Sequence, residues 1–362
     1  MATELLTTTL PEAEPVASVI VPPALATQYR SAEPIGLLAF SPDNQQLAFS
    51  SSHHSKQQSA LGDIWLSELY VWSFTASGSP QKLIDAPTTN KFAYYGAPAL
   101  SLEWQHHNIL LVIGNGDDAA TELTYLTAQK RLKNPNIGEK TLDEAPSLTE
   151  AERLVQQCFT DWPAEVVEHS NNHWLQPDKT LLYQANYAGV ARDLWLIDIA
   201  NCQRNLLPLP KGLGQQQIWA LGGALYQNQL VLALRQHHKK RSQTLLLQTD
   251  VSTLGTTQQQ WLNWSYGLGG SFEFTALTST DKQSLFLLTD NYQPCRSRLY
   301  SLNQQQLSAI AVDGHWLCNA TVNHHGLLGL TLTATKPDNK TGEVASTNTI
   351  WVVKPEFLQA FR

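Results

Sequence analysis

Eight of the eleven histidines in this chain stand as doublets: His53-His54, His106-His107, His237-His238 and His324-His325. Neutral imidazole is a good ligand for transition metals. The doublets therefore raise a divalent-metal or small-ligand site, with His53, His54, His237 and His238 as its candidate residues. The competing reading is that polar pairs in a chain of many turns are simply solvated. No cofactor is otherwise expected, and no catalytic residue is identified.

Other residue types carry less chemistry. His237-His238-Lys239-Lys240-Arg241 is the only basic cluster, and such a run at a loop tip is a solvated turn or a contact for an acidic partner. Gly114-Asn115-Gly116-Asp117-Asp118 lacks the spacing and terminal Glu of a calcium loop. Cys158, Cys202, Cys295 and Cys318 stand far apart with no CxxC pair. The expectation is four reduced, mostly buried thiols, with a disulfide pair as the minority reading.

The elements that must position these groups follow from a repeated phrase. Ser41-Pro42-Asp43 leads through Asn44, Gln45 and Gln46 into Leu47-Ala48-Phe49-Ser50, and Asp63-Ile64-Trp65 opens the next strand. Gln176-Pro177-Asp178 leads into Leu181-Leu182-Tyr183, then Asp193-Leu194-Trp195. A worn copy runs Ser279-Thr280-Asp281 into Leu285-Phe286, then Arg298-Leu299-Tyr300. A unit recurring every few tens of residues and built only of strands and turns indicates a radial or solenoid β architecture. Second strands such as Leu230–Leu234 and Leu285–Leu288 are continuous apolar runs, which means burial on both faces. The expected fold is all-β: a six-bladed β-propeller, or seven-bladed if residues 127–165 hold a strand pair, with one short helical insertion.

Residues 1–30 are expected to be a flexible tail, except that Val16–Val21 could supply a ring-closing strand to the last blade. Residues 31–362 form the propeller. Within the insertion 127–165, Ser147-Leu148-Thr149-Glu150 resembles a capping box ahead of an amphipathic helix over 151–159. That helix covers an apolar patch or acts as a lid or docking element. The aromatics Trp65, Trp195, Tyr300 and Trp351 at third strands are blade-packing groups.

This frame decides how the doublets group. Successive turns of an up-and-down blade alternate between the two ends of the disc. The first and third doublets fall between second and third strands, and the other two between first and second strands. All four cannot share one site; blades one and four, or two and six, could pair.

The apolar fraction of 42% suffices for a core, and the charged fraction of 15% is low. A net charge of −7 without a basic face argues against nucleic acid. No apolar run approaches the ~18 residues of a membrane span, and no signal-peptide pattern precedes the repeats, so cytoplasmic location and no membrane partner are expected.

The Ser-Pro-Asp phrase followed by Asp-Ile-Trp resembles the propeller repeats of the TolB family and the N-terminal propellers of the prolyl oligopeptidase (S9) peptidases. Asn319–Gly326, Leu330–Thr333 and Asn348–Val353 resemble the last blade of such peptidases. The resemblance covers about residues 35–354. In the peptidases a hydrolase domain carries a Ser in Gly-x-Ser-x-Gly; no such string occurs here, and Gly269-Gly270-Ser271-Phe272-Glu273 lacks the second glycine. A propeller without a hydrolase domain is therefore expected. The expected function is a non-catalytic scaffold or accessory subunit for a protein partner. Contacts are expected on loops 51–62, 127–165 and 235–243, including Leu154, Phe159, Lys239, Lys240 and Arg241. The alternatives are an enzyme or ligand binder using the axial channel, and a subunit of a separate hydrolase.

Overall fold

A computed structural model describes residues 16–31, 34–59, 62–76, 78–84, 99–114, 120–133, 149–162, 170–176, 179–187, 190–210, 213, 218–238, 241–265, 268, 272–279, 283–290, 295–303, 306–334 and 348–360. Two strands, β1 (Ser18–Ile20) and β2 (Ala26–Ser31), precede the repeats. Each repeat then folds as its own antiparallel sheet. The first holds β3 (Ile35–Phe40), β4 (Leu47–Ser59), β5 (Gly62–Trp72) and β6 (Gln81–Ile84). The second holds β7 (Ala99–Gln105), β8 (Asn108–Gly114), β9 (Ala120–Leu126) and β10 (Arg131–Leu132). A helix, α1 (Glu150–Cys158), separates it from the third sheet, β11 (Asn171–Gln176), β12 (Thr180–Tyr187), β13 (Val190–Asp198) and β14 (Gln203–Leu206). The fourth holds β15 (Ile218–Tyr226), β16 (Gln229–His238), β17 (Arg241–Asp250) and β18 (Leu262–Asn263). The fifth holds β19 (Phe272–Ser279), β20 (Ser284–Asp290), β21 (Arg298–Asn303) and β22 (Gln306–Ala311). The sixth holds β23 (His315–Val322), β24 (Leu328–Ala334) and β25 (Asn348–Val353), followed by a short helix, α2 (Pro355–Gln359).

The N-terminal segment behaves differently from expectation. Ser18–Ile20 joins the fifth sheet as an extra strand, parallel to β22. The strand that completes the sixth sheet is β2, antiparallel to β25 from Ala26↔Val353 to Ser31↔Asn348. The β-branched run at 16–21 signals a strand but not its partner. The segment Ala26–Ser31 has no comparable apolar signal; it becomes a strand because β25 would otherwise have a free edge.

Neighbouring sheets pack face to face. Along β16, Leu230, Leu232 and Leu234 face the third sheet at Leu182 and Leu194, while Val231 and Ala233 face the fifth at Phe286 and Leu288. This two-sided burial is what the continuous apolar runs require. Leu285, Leu287 and Leu299 pack on Leu330, Leu332 and Trp351 of the sixth sheet. Ile350 and Val352 of the sixth meet Leu47 and Phe49 of the first, and Ala48 and Leu69 of the first meet Ile109 and Leu111 of the second. This is a propeller-type arrangement of sheets. The third sheet's remaining apolar face, Leu181, Tyr183 and Ile197, is covered by Ala151, Val155 and Phe159 at α1.

All six first strands carry a register shift against their second strand, for example between Ala220 and Gly222 and between Leu317 and Asn319. Such irregularities increase local twist, which packing of twisted sheets about an axis requires. At Gly222, with φ +150°, a side-chain carbon would lie 2.3 Å from the Phe274 ring, so the close approach of the fifth sheet needs glycine there.

The helix is present over Glu150–Cys158, close to the expected 151–159, but its capping box lies two residues later than the expected Ser147–Glu150. Thr149 is the N-cap: its hydroxyl accepts from Glu152 N at 3.2 Å, and Glu152 Oε2 accepts from Thr149 N at 2.7 Å. The box is thus Thr149–Glu152, which satisfies two orphan donors reciprocally. Beyond the helix, Arg204 grips Asp161 through both guanidinium ends (3.1 and 2.6 Å) and lies 4.9 Å above the Trp162 ring.

The expectation of four reduced thiols is overturned. Cys158 is bonded to Cys202, and Cys295 to Cys318. The spans of 44 and 23 residues give no local sequence signal. Topology makes them neighbours: Cys202 lies in the β13–β14 turn beneath the end of α1, and Cys318 lies at the irregularity in β23, beside the segment leading into β21. Such cross-links typically contribute about 2–4 kcal/mol. No described helix is long and apolar enough to cross a membrane.

Candidate functional site

Three neighbouring first strands, β23, β3 and β7, deliver their turns to one place. Between them runs an open groove of about 430 Å³ whose lining includes Leu38, Phe40, Ser41, Glu103, Trp104, Val322, Asn323 and His324. Its lining combines the buried Leu38 and Ala39 with the exposed Glu103 and His324.

The Ser41–Gln46 turn explains the repeated phrase. The Ser41 hydroxyl donates to Asp43 Oδ1 (2.6 Å) and accepts from Gln46 N (3.0 Å), while Asp43 Oδ1 also accepts from Gln45 N (3.1 Å). Asn44 sits at φ 58°, a left-handed position that Asn tolerates. The Ser41 hydrogen bond, then that of Gln45 N, holds the Asp43 carboxyl below its ordinary value of 3.8, and the nearby His107 imidazole adds to this. The phrase is thus a self-bonded turn. The corresponding residues Pro177, Asp178, Thr280 and Asp281 lie outside the described residues.

On the sixth sheet, Asn323 Oδ1 accepts from His325 N (3.1 Å) and Leu327 N (2.8 Å), and its amide donates to Asn44 Oδ1 on the first sheet. On the second sheet, Trp104 Nε1 donates to Ala39 O at 3.0 Å, which fixes the indole across the seam. Phe40 lies over Gly329, where an added side-chain carbon would be 3.3 Å from the ring. Glu103 is exposed and accepts from Gln105 Nε2 at 2.7 Å. Interlocking turns on a rigid β frame preorganise the groove.

The histidine doublets distribute as follows. His106-His107 and His324-His325 occupy turns between first and second strands, as expected; His324 lines the groove, and His107 acts electrostatically on Asp43. The His324 and His325 rings stand 4.1 Å apart. His53-His54 and His237-His238 lie in strands instead of connecting loops, with His53↔Leu66, His54↔Trp65, His237↔Ser242 and His238↔Arg241 in register. These hairpins extend well past the sheets, so the expected loops 51–62 and 235–243 are mostly strand. Lys239, Lys240, Asp117 and Asp118 fall outside the described residues; Arg241 opens β17. Among the described residues, no group of three His, Cys, Asp or Glu side chains is placed to hold a metal. Phe159 is buried at 7% exposure and Leu154 is half-buried, so Phe159 anchors α1 to its sheet.

A second polar cluster escapes sequence reading. Glu68, 5% exposed, accepts from Lys82 Nζ at 2.7 Å and from the Tyr70 hydroxyl. Burial, then the hydrogen bond and charge of Glu68, push Tyr70 up to about 12. Glu68 and Tyr70 lie two apart on β5 and share a face, the only hint in the sequence. The cluster neutralises a buried carboxylate and opens onto no described groove.

No protein-family model matches the sequence, and no curated protein matches it. Solved structures do. The β-propeller domain of the Trilobed protease from Pyrococcus furiosus is 11% identical over 88% of this chain and 78% of that one, with a TM-score of 0.30. Prolyl oligopeptidase B from Galerina marginata is 9% identical over 86% of this chain, with a TM-score of 0.30; the match spans 42% of that protein. A Dyadobacter fermentans protein of unknown function is 11% identical over 94% of this chain and 98% of that one, with a TM-score of 0.37. The neighbours include β-propeller domains of the prolyl oligopeptidase type. The sheet topology itself gives the propeller-type arrangement.

Proposed function

We propose that this chain is a six-bladed propeller acting as a non-catalytic recognition scaffold, with the groove between the sixth, first and second sheets as its contact surface for a protein partner. The observation that carries this is the convergence of three strand ends and their turns, cross-tied by Asn323–Asn44 and Trp104–Ala39, around a groove lined by apolar and exposed polar residues. Propeller frames fix loop positions while loop sequences vary, which suits recognition. An anchoring aromatic or aliphatic side chain of the partner would occupy the groove, and Glu103, Asn323 and His324 would meet its polar neighbours. An accessory role beside a separately encoded hydrolase is one form of this reading.

The groove's volume also suits a small ligand, since ligand pockets run from ~300 to 1,000 Å³. Site-specific photo-cross-linking in native extract separates the two. A photoreactive residue at His324, on the groove, should give one stoichiometric protein adduct. The same residue at Asp313, in the connection between β22 and β23, should not. Equal labelling from both positions, or no protein adduct from His324, would contradict the scaffold reading.

A further inference from the structure

We infer that this chain folds and works in an oxidising compartment, where Cys158–Cys202 staples α1 across the third sheet as a redox-sensitive strap and Cys295–Cys318 ties the fifth sheet to the sixth. All four cysteines of the sequence are paired, and the two bridges lie in separate parts of the fold. Cytosolic thiols are kept reduced, whereas paired cysteines persist in secreted, periplasmic or luminal proteins.

A second observation agrees. Unpaired cysteines are among the most buried residues in proteins. Here none of the four is buried: Cys202 is exposed, and Cys158, Cys295 and Cys318 are half-buried. Reduced thiols at such positions would be open to oxidation and exchange. The expectation of four reduced, buried thiols fitted a cytoplasmic protein; the paired, accessible cysteines do not.

Each bridge ties together two elements that are distant in sequence. At the end of α1, Phe159 meets Trp162, Trp162 packs on Tyr183 and Trp195, and Arg204 pairs with the exposed Asp161. The Cys158–Cys202 bond pins that end to the β13–β14 turn. The segment around Cys295 runs beside β23 through Ser297, whose N–H and hydroxyl donate to Leu317 O (3.0 Å) and Cys318 O (2.7 Å). Each bridge forms by thiol–disulfide exchange with a disulfide donor such as oxidised glutathione. Two thiols become one S–S bond, and their two electrons and two protons reduce the donor.

The test is differential alkylation of the protein taken directly from its native cells. Thiols are blocked with iodoacetamide under denaturing conditions, the bridges are then reduced, and released thiols are labelled with N-ethylmaleimide. All four cysteines should carry the second label, and unreduced digests should contain linked Cys158–Cys202 and Cys295–Cys318 peptides. Either pair carrying mainly the first label would overturn the inference. Limited proteolysis tests the strap. In protein still folded by thermal melt, cleavage within 149–162 should quicken several-fold on reduction with a phosphine and on Cys202→Ser substitution. An unchanged cleavage rate would overturn the strap.

Discussion

The side-chain amide of Asn323 donates to Oδ1 of Asn44, hooking the turn of the sixth sheet to the turn of the first. The same Asn323 holds its own turn closed by accepting from His325 N and Leu327 N. One residue thus shapes a turn and registers it against its neighbour, so the groove lining inherits its geometry from the sheets beneath.

Asn323→Ala removes three hydrogen bonds from a half-buried position and should cost about 1–3 kcal/mol in urea unfolding. Asn323→Asp keeps the acceptor for both N–H groups and loses only the donor to Asn44, so its cost should be smaller. Equal costs for the two would show that the hook, and not the turn, carries the energy.

Thr331 on β24 is fully buried, and its hydroxyl has no hydrogen-bond partner among the described residues. Valine has the same shape and no polar atom to leave unpaired. Thr331→Val should therefore stabilise the protein by about 1 kcal/mol, read as a higher urea midpoint at unchanged slope. A lower midpoint would show that the hydroxyl is satisfied.

The depressed Asp43 carboxyl makes a pH prediction. Its folded value lies below 3.8, so its contribution to stability is full above that unfolded value and is lost as pH falls through the folded one. Wild type should be more stable than Asp43→Asn at pH 6, and the gap should close at low pH. The carboxyl is mostly exposed, so the gap is small. A constant gap from pH 6 to pH 2 would contradict the Ser41–Asp43 turn.

The repeat phrase and the apolar second strands exposed the sheets to sequence reading because both are local. The helix ahead of the third sheet was legible for the same reason, through the apolar stripe over 151–159, although its cap is Thr149 and not the expected Ser147. What stayed hidden depends on distant segments. Ala26–Ser31 becomes a strand only against β25, and Cys158 meets Cys202 only after α1 lies down on the third sheet. Turn alternation correctly placed His106-His107 and His324-His325 at connections between first and second strands. It misplaced His53-His54 and His237-His238 because the hairpins β4–β5 and β16–β17 run on as paired strands. The groove itself was invisible: Phe40, Trp104 and Val322 read as ordinary strand residues, and only the side-by-side arrangement of three sheets brings them together.

The central claim is that the groove rim recognises a protein partner. Glu103 and His324 are exposed, so Glu103→Arg with His324→Glu reverses the rim's chemistry without touching the core. The direct measurement is quantitative recovery of the His324 cross-link partner by wild type and by this double variant in native extract, with thermal melts to confirm equal folding. The account predicts an unchanged melting temperature and at least a tenfold loss of partner, the equivalent of about 1.4 kcal/mol. Full recovery by the folded double variant would contradict it.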